Sequence, residues 1–196
     1  GYKLAKELET AAKNYPEQQF ALIDAVCEGE QPENVTSLLF EDNASAYLTG
    51  LIAGRMTETN KVGFIGGMES PVISKFDYGF RAGVKAANPD AEVMVQYANS
   101  FTDSALGKTI ANQMHSKNAD IIFTCAGAVG IGAIEAAKEN GKKAIGVDQD
   151  QNALAPKNVI TSAMKNIDVA VVELLSKVVD GSYKGGEVII NTLAMN

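Results

Sequence analysis

Short apolar runs alternate with segments of helical periodicity along most of the chain, and this alternation constrains the fold more than any other feature. Strand-like apolar runs fall at 61–67, 92–98, 119–126, 143–148 and 158–164. Helical segments between them lie at 70–87, 104–117 and 130–140. Strands separated by helices of about 10–15 residues indicate right-handed βαβ units and a parallel sheet that is covered on both faces. The pattern therefore predicts an α/β protein.

The two ends of the chain contain fewer strands than this central part. The patterns before residue 61 and after residue 166 predict helices at 1–15, 43–56 and 167–180 and strands at 20–26, 34–40 and 187–193. Two strands before residue 61 are too few for a sheet of the usual four to six. We therefore place a domain boundary at Thr57 to Lys61 and expect the first domain to be incomplete in this chain.

The composition of the 196 residues excludes several classes of function. Seventeen Lys and Arg against 24 Asp and Glu give a net charge of -7, which disfavours nucleic-acid binding. Cys27 and Cys125 each end an apolar run, which predicts buried thiols rather than a disulfide framework. The single histidine, His115, cannot form a His/Cys metal cluster, and its place near a helix end favours a dipole or surface role over catalysis. No apolar stretch has the roughly 18–20 residues of a membrane-spanning helix.

Three glycines follow a predicted strand and open a predicted helix, which is the context of a dinucleotide-binding loop. They are Gly127, Gly130 and Gly132. Glu135, however, stands where the third glycine of that motif permits close packing of helix and strand. A tight turn into a helix is therefore favoured over a nicotinamide or flavin site, and we expect no cofactor.

Polar and aromatic residues follow several predicted strands, where ligands of open α/β sheets bind. Asp148 either forms an Asx turn or directs a carboxylate that accepts hydrogen bonds from a vicinal diol. Phe101 lies in a polar loop, where a plain core role is less natural. Phe76 starts a helical stripe with Phe80 and Val84, so core packing and ligand contact both remain open for it.

Five motifs occur in an order that is specific to one family. They are the segments that begin at GGMESPVISKF, NSFTDSALGK, DIIFTCAGAVGIG, AIGVDQDQNALAP and ITSAMKNIDVAV, which start at residues 66, 99, 120, 144 and 160. In these segments, and over nearly its whole length, the chain resembles the basic membrane protein family. Members of this family are substrate-binding lipoproteins of ABC transporters and include a purine nucleoside receptor.

The resemblance implies a two-lobed type I periplasmic-binding-protein fold with parallel Rossmann-like sheets, in which the first lobe is incomplete. Residues 1–60 would be the remainder of the first lobe and 61–165 the second lobe, while 166–185 would return to the first lobe and 186–196 form the final crossing strand. The ligand would lie in the cleft between lobes, so we expect this segment alone to bind it weakly or not at all. Unpaired sheet edges would also permit a dimer of the segment.

The resemblance also assigns ligand-binding residues. Phe76 and Phe101 match aromatic positions that face the ligand, and Asp148 matches a carboxylate that binds ribose hydroxyls. Asp42 and Asn43 lie near an acidic ligand position, with Ala44 where an acid is common. Lys165 matches a polar ligand contact, and Ala126 and Gly127 would present backbone amides from a strand end. The full set of ligand-binding residues is Asn43, Phe76, Phe101, Ala126, Gly127, Asp148 and Lys165.

By the same resemblance the protein would be an extracytoplasmic, lipid-anchored receptor that delivers a nucleoside of the purine class to an ABC transporter permease and catalyses nothing. The lipid anchor would lie outside this chain. A flat purine base is stabilised by stacking on aromatic side chains. An uncharged ligand needs no arginine to neutralise it, which agrees with the presence of only two arginines, Arg55 and Arg81. The alternative is a ligand-sensing regulatory protein with the same two-lobed module, which a helix-turn-helix elsewhere in the reading frame would favour.

Overall fold

A computed structural model describes residues 1–193, so the last part of the predicted crossing strand 186–196 lies outside the described residues. The helices are α1 (Ala5–Asn14), α2 (Asp42–Met56), α3 (Pro71–Ala87), α4 (Ser104–Ser116), α5 (Ala128–Glu139) and α6 (Ile167–Asp180). The strands are β1 (Phe20–Ile23), β2 (Val35–Phe40), β3 (Lys61–Gly66), β4 (Glu92–Tyr97), β5 (Ile121–Cys125), β6 (Lys143–Asp148), β7 (Val159–Met164) and β8 (Val188–Asn191). Short 3-10 helices lie at Tyr2–Leu4 and Asn152–Leu154.

The larger sheet has five parallel strands in the order β4-β3-β5-β6-β7. Alternate residues of a strand point to opposite faces, and β5 shows this with Phe123 in one buried cluster and Ile122 in another. Helices α2 and α3 contribute to the first cluster, and α4 and α5 contribute to the second. The predicted α/β class and the parallel sheet are therefore confirmed.

The chain divides into two compact units, and the division falls earlier than the sequence pattern indicated. The first unit contains Gly1–Glu41 and the chain from Asn166 onward, and the second contains Asp42–Lys165. Helix α2 therefore groups with the second unit, whereas the predicted boundary at Thr57 to Lys61 placed it in the first. The reason is the close packing of α2 on α3.

Small residues allow the backbones of α2 and α3 to touch. A Cβ atom at Gly50 would collide with the carbonyl oxygen of Phe80, and one at Gly83 would collide with the carbonyl oxygen of Tyr47. Both glycines are buried. This packing is possible only where neither helix presents a side chain, so it fixes the spacing of α2 and α3.

The first unit has a parallel three-stranded sheet in the order β1-β2-β8. On one side of β2, Leu38 and Phe40 pack with Ala170 and Leu174 of α6. Among the described residues no helix is both long and apolar enough to cross a membrane.

Two element boundaries differ from the sequence prediction for a visible backbone reason. Helix α5 begins at Ala128 rather than at Gly130, because Gly127 adopts a φ of 57° at the N-cap and turns the chain earlier. Strand β1 ends at Ile23 rather than at Val26, because Asp24 has a φ of 59° that is incompatible with an extended strand.

Candidate ligand-binding site

Most of the predicted site residues of the second unit lie at the carboxyl edge of its sheet. Asp148 ends β6, Lys165 directly follows β7, Gly127 follows β5, and Phe101 lies in the loop after β4. Parallel strands bring their carboxyl ends to the same edge of a sheet. Two backbone hydrogen bonds join the segments there, from the N–H of Lys165 to the oxygen of Asp148 (2.8 Å) and from the N–H of Ala128 to the oxygen of Phe101 (2.8 Å).

A buried ion pair joins the residues at the two ends of the second unit. The Nζ atom of Lys165 lies 2.8 Å from Oδ1 of Asp42, and the two side chains are 4% and 3% exposed. The same Nζ lies 5.2 Å from the centroid of the Phe76 ring, within the range of a cation–π contact. Asp42 begins α2, where the helix dipole also favours a negative charge. The sequence analysis had selected the neighbouring Asn43 and had not paired Asp42 with Lys165.

Phe76 is a core residue in this structure. It is 2% exposed and packs edge-on against Phe123 with ring centroids 6.2 Å apart. Phe80 and Val84, which share its helical stripe, are fully buried. Phe76 is therefore packed as the core interpretation of its helical stripe predicted. A direct contact of Phe76 with a ligand stays a prediction.

Phe101 is half-buried and rests on two glycines. Its ring covers Gly67, where any Cβ would collide with ring carbons, and its carbonyl oxygen would lie 2.8 Å from a Cβ at Gly127. The N–H of Gly67 in turn donates to the oxygen of Cys125 (3.0 Å). The position of the Phe101 ring thus depends on Gly67, a role that sequence reasoning missed although a Gly-Gly pair directly at a strand end was a visible signal.

Asp148 is exposed at the end of β6 and has a φ of 67°. Asp150 forms an Asx turn in this segment, since its Oδ1 accepts a hydrogen bond from the N–H of Asn152 (2.9 Å). The exposed carboxylate at the strand end is the feature that the diol interpretation requires. The role of Asp148 as a ligand acceptor stays a prediction.

The charged side chains at the carboxyl edge affect the pKa of Cys125, the last residue of β5. Burial raises the pKa of the Cys125 thiol well above its ordinary value, and the negative charge of Asp148 raises it further. Asp42 also raises this pKa, whereas Lys165 lowers it. The charges of these three side chains therefore all act on the thiol at the end of β5. Cys125 and Cys27 are both buried free thiols, as predicted.

The remaining predicted residues are divided between the core and the surface. Ala126 is 1% exposed and packs in the cluster that contains Ile65 and Ile110. Asn43 is exposed, and its backbone packs against Gly79 of α3. Residues 1–193 contain no group of His, Cys, Asp and Glu side chains that could hold a metal ion.

A parallel α/β sheet with polar residues at its carboxyl edge is the arrangement in which open α/β proteins bind ligands, so the second unit has the architecture of a ligand-binding domain. The family described as ABC transporter substrate-binding protein PnrA-like (Bmp) matches residues 1–194. The chain belongs to this family, as its motifs predicted.

Similar proteins agree in sequence and in structure. The chain is 40% identical over 98% of its length to the ABC transporter nucleoside-binding protein BmpA of Lactococcus lactis and 40% identical over 96% to basic membrane protein B of Borreliella burgdorferi. A crystal structure of ABC transporter solute-binding proteins from Aeropyrum pernix K1 matches the whole chain with a TM-score of 0.93 and 32% identity. The chain covers 59%, 57% and 57% of these three proteins, respectively.

Proposed function

We propose that this chain is part of an extracytoplasmic solute-binding protein of an ABC importer, which binds a purine nucleoside and does not convert it chemically. The observation that carries the proposal is the 40% identity, over 98% of the chain, to a Lactococcus lactis protein named as nucleoside-binding. The family match over residues 1–194 supports the transporter context. A permease is the expected partner, and a lipid anchor is the expected attachment to the membrane.

The carboxyl edge of the second sheet supplies chemistry that suits a nucleoside. The exposed carboxylate of Asp148 can accept hydrogen bonds from both hydroxyls of a ribose diol. The half-buried ring of Phe101 offers an aromatic surface to a base, and stacking of this kind contributes about 1–3 kcal/mol per base. We therefore place the ribose at Asp148 and the base toward Phe101.

Calorimetry tests the ligand class directly. The protein from its complete reading frame is titrated with adenosine, guanosine, inosine, uridine and ribose. We expect binding of the purine nucleosides, weaker binding of uridine because its base is smaller, and no measurable binding of ribose alone. Binding of a sugar or an amino acid without any binding of a nucleoside would refute the proposed substrate class.

The role of Asp148 is tested with Asp148→Asn and deoxynucleosides. Asn tolerates a positive φ as Asp does, so the backbone is preserved. The variant should lose about 1–3 kcal/mol of binding free energy for adenosine and clearly less for 2′- and 3′-deoxyadenosine, which lack one of the hydroxyls. Asp150→Asn is the matched control, since its carboxylate serves an Asx turn. Equal losses for all three ligands would show that Asp148 does not bind the diol.

The regulatory alternative is supported by one structural likeness. A crystal structure described as a transcriptional activator of the comK gene from Bacillus halodurans matches 98% of the chain with a TM-score of 0.84 and 27% identity. Deletion of the gene distinguishes the two functions. If the protein serves an importer, the deletion should abolish nucleoside uptake from the medium. If it is a regulator, the deletion should alter transcription and leave the uptake kinetics of each transporter unchanged.

A further inference from the structure

We propose that Gly67 and Ser100 are positioning residues, which hold the aromatic ring of Phe101 in place before any ligand binds. This role rests on the proposed function, because the ring is the stacking surface that the site offers to a base. The observation behind it is the contact of the ring with Gly67, where a Cβ atom would collide with the ring carbons.

The order of the strands places Phe101 at the point of the larger sheet where a ligand is expected. Strand β3 lies between β4 and β5, and α3 and α5, which follow β3 and β5, pack in different buried clusters. The carboxyl ends of β3 and β5 therefore form the switch point, where open α/β sheets bind ligands. Phe101 follows β4, yet its ring lies on Gly67 after β3, and its carbonyl oxygen accepts a hydrogen bond from the N–H of Ala128 after β5 (2.8 Å).

The backbone around Phe101 is held by the hydroxyl of Ser100. The Oγ atom of Ser100 accepts hydrogen bonds from the N–H groups of Thr102 (3.2 Å) and Asp103 (3.2 Å). Bonds of this kind from a Ser hydroxyl to the following backbone form a local turn. Because they span Phe101, they fix the direction in which its side chain leaves the loop.

Gly67 sets the position of the ring with little effect on the stability of the fold. Its φ lies outside the left-handed region, so the backbone accepts alanine. A Cβ at this position would meet the ring of Phe101, which is the far end of a side chain and can move away. A Cβ at Gly83, by contrast, would meet a backbone oxygen that cannot. Gly67→Ala should therefore displace the ring and leave the fold intact.

A ring that is held in advance favours binding in two ways. Its plane is already set for a base, and the entropy of ordering it is not lost on association. That entropy amounts to about two- to tenfold in affinity for one side chain. Loss of either positioning residue should therefore weaken binding through Phe101 alone.

A double-mutant cycle tests whether Gly67 acts through Phe101. Calorimetry on the protein from its complete reading frame measures the adenosine Kd. Phe101→Leu should raise this Kd by about 5- to 150-fold, which corresponds to one stacked base, and Gly67→Ala by at least about fivefold. In the Phe101→Leu background, Gly67→Ala should change the Kd by less than about twofold, since the ring that it displaces is gone. An equal loss in both backgrounds, or unchanged binding in Gly67→Ala alone, would overturn the proposal.

Gly29→Ala is the matched control for the added methyl group. Among the described residues, a Cβ at Gly29 has no heavy atom within 4 Å beyond its chain neighbours, so this variant should keep the wild-type Kd. Urea denaturation of Gly67→Ala should give the wild-type midpoint. A large fall of the midpoint would mean that residue 67 acts on the fold rather than on the ring, and would overturn the proposal.

The second experiment is done without ligand. Phenylalanine labelled with ¹³C gives ring signals, and those of Phe101 are assigned by their loss in Phe101→Leu. We expect nuclear Overhauser effects between this ring and the Hα protons of Gly67. Ser100→Ala should weaken them and increase ring motion on the ps–ns timescale, whereas Ser100→Thr keeps the hydroxyl and should retain them. Thr102→Ala, which removes a hydroxyl on the other side of Phe101, is the control and should behave as the wild type.

The two experiments separate the positioning role from the proposed function. A ring that is mobile in the unliganded wild type, or equally ordered in Ser100→Ala, would overturn the positioning role. An ordered ring that Ser100→Ala releases, in a protein that binds no nucleoside, would refute the proposed function alone. Where adenosine binds, Ser100→Ala should raise its Kd by about two- to tenfold.

Discussion

His115 lies near the end of α4 with its imidazole buried, rather than on the surface where the sequence analysis had allowed it. It is 7% exposed, and its Nδ1 lies 2.9 Å from the carbonyl oxygen of Ala119. A carbonyl can only accept, so Nδ1 carries the proton, and Nε2 has no hydrogen-bond partner among the described residues. Burial lowers the pKa of His115 below its usual 6.5, and Lys142 lowers it further, whereas the Ala119 hydrogen bond and Asp120 oppose this.

This buried imidazole predicts a loss of stability in mild acid. The unfolded chain takes up a proton near pH 6.5, whereas the folded chain does so only at lower pH, so the free energy of unfolding falls as the pH drops below about 6.5. Above that pH the contribution is fully present. Urea denaturation between pH 7.5 and 5.5 measures the effect. His115→Asn keeps an N–H donor for Ala119 without a titrating group and should flatten the profile; an equally steep profile in the variant would assign the pH dependence to other groups.

At the scale of elements, the contact of α2 with α3 depends on the absence of side chains. Gly83 lies in the middle of α3, where alanine would ordinarily favour the helix by about 1 kcal/mol. A Cβ there would meet the backbone oxygen of Tyr47, which cannot rotate away as a side chain could. Steric overlap should therefore outweigh helix propensity at this position.

We expect Gly83→Ala to lower the free energy of unfolding by about 1–3 kcal/mol, the usual cost of overpacking. Urea denaturation of the purified protein gives this value. The control is Ala82→Gly at the exposed neighbouring position, which should lose about 1 kcal/mol through helix propensity alone. An increase in stability for Gly83→Ala would mean that the two helices can move apart at little cost.

The order of helices and strands could be predicted because each element carries its own local pattern. The five residues of β5 form one apolar run and are all buried, and Phe76, Phe80 and Val84 of α3 share one buried stripe. The start of α5 could not be placed to within two residues, because it depends on the backbone conformation of Gly127.

The candidate site was predicted only in part, for a related reason. The strand ends and the family motifs selected Asp148, Lys165 and Phe101, and the structure places all three at one edge of the sheet. The ion pair of Lys165 with Asp42 could not be predicted, since Asp42 lies on a distant segment and no local pattern links the two residues. Which residues share an ion pair is decided by tertiary packing.

At the scale of the molecule, the second unit has the features of an autonomous domain. It is continuous in sequence from Asp42 to Lys165, contains a complete five-stranded sheet with helices on both faces, and has its two ends joined by the ion pair. A continuous segment with adjacent ends can usually be separated from its host. The first unit, by contrast, is built from two separate segments.

We expect a protein of residues 42–165 alone to fold into a monomer that unfolds cooperatively on heating. Circular dichroism and a dispersed amide NMR spectrum would check this. The version with Asp42→Asn should unfold at a lower temperature, because the substitution breaks a buried ion pair whose Nζ–Oδ1 distance is 2.8 Å. A broad, non-cooperative transition in the unmodified segment would show that the first unit is needed for its fold.

The position of β8 beside β2 has a consequence for the order in which the protein folds during synthesis. Strands β1 and β2 are synthesised before the second unit, but β8 pairs with β2 only after the whole second unit has been made. At about 5–20 residues per second, the β2 edge that later pairs with β8 waits for about 7–30 seconds with unpaired backbone groups. An unpaired edge is a template for wrong pairing with other chains. The first unit therefore begins before the second and is completed after it, and its half-built sheet is the species most open to aggregation on the ribosome.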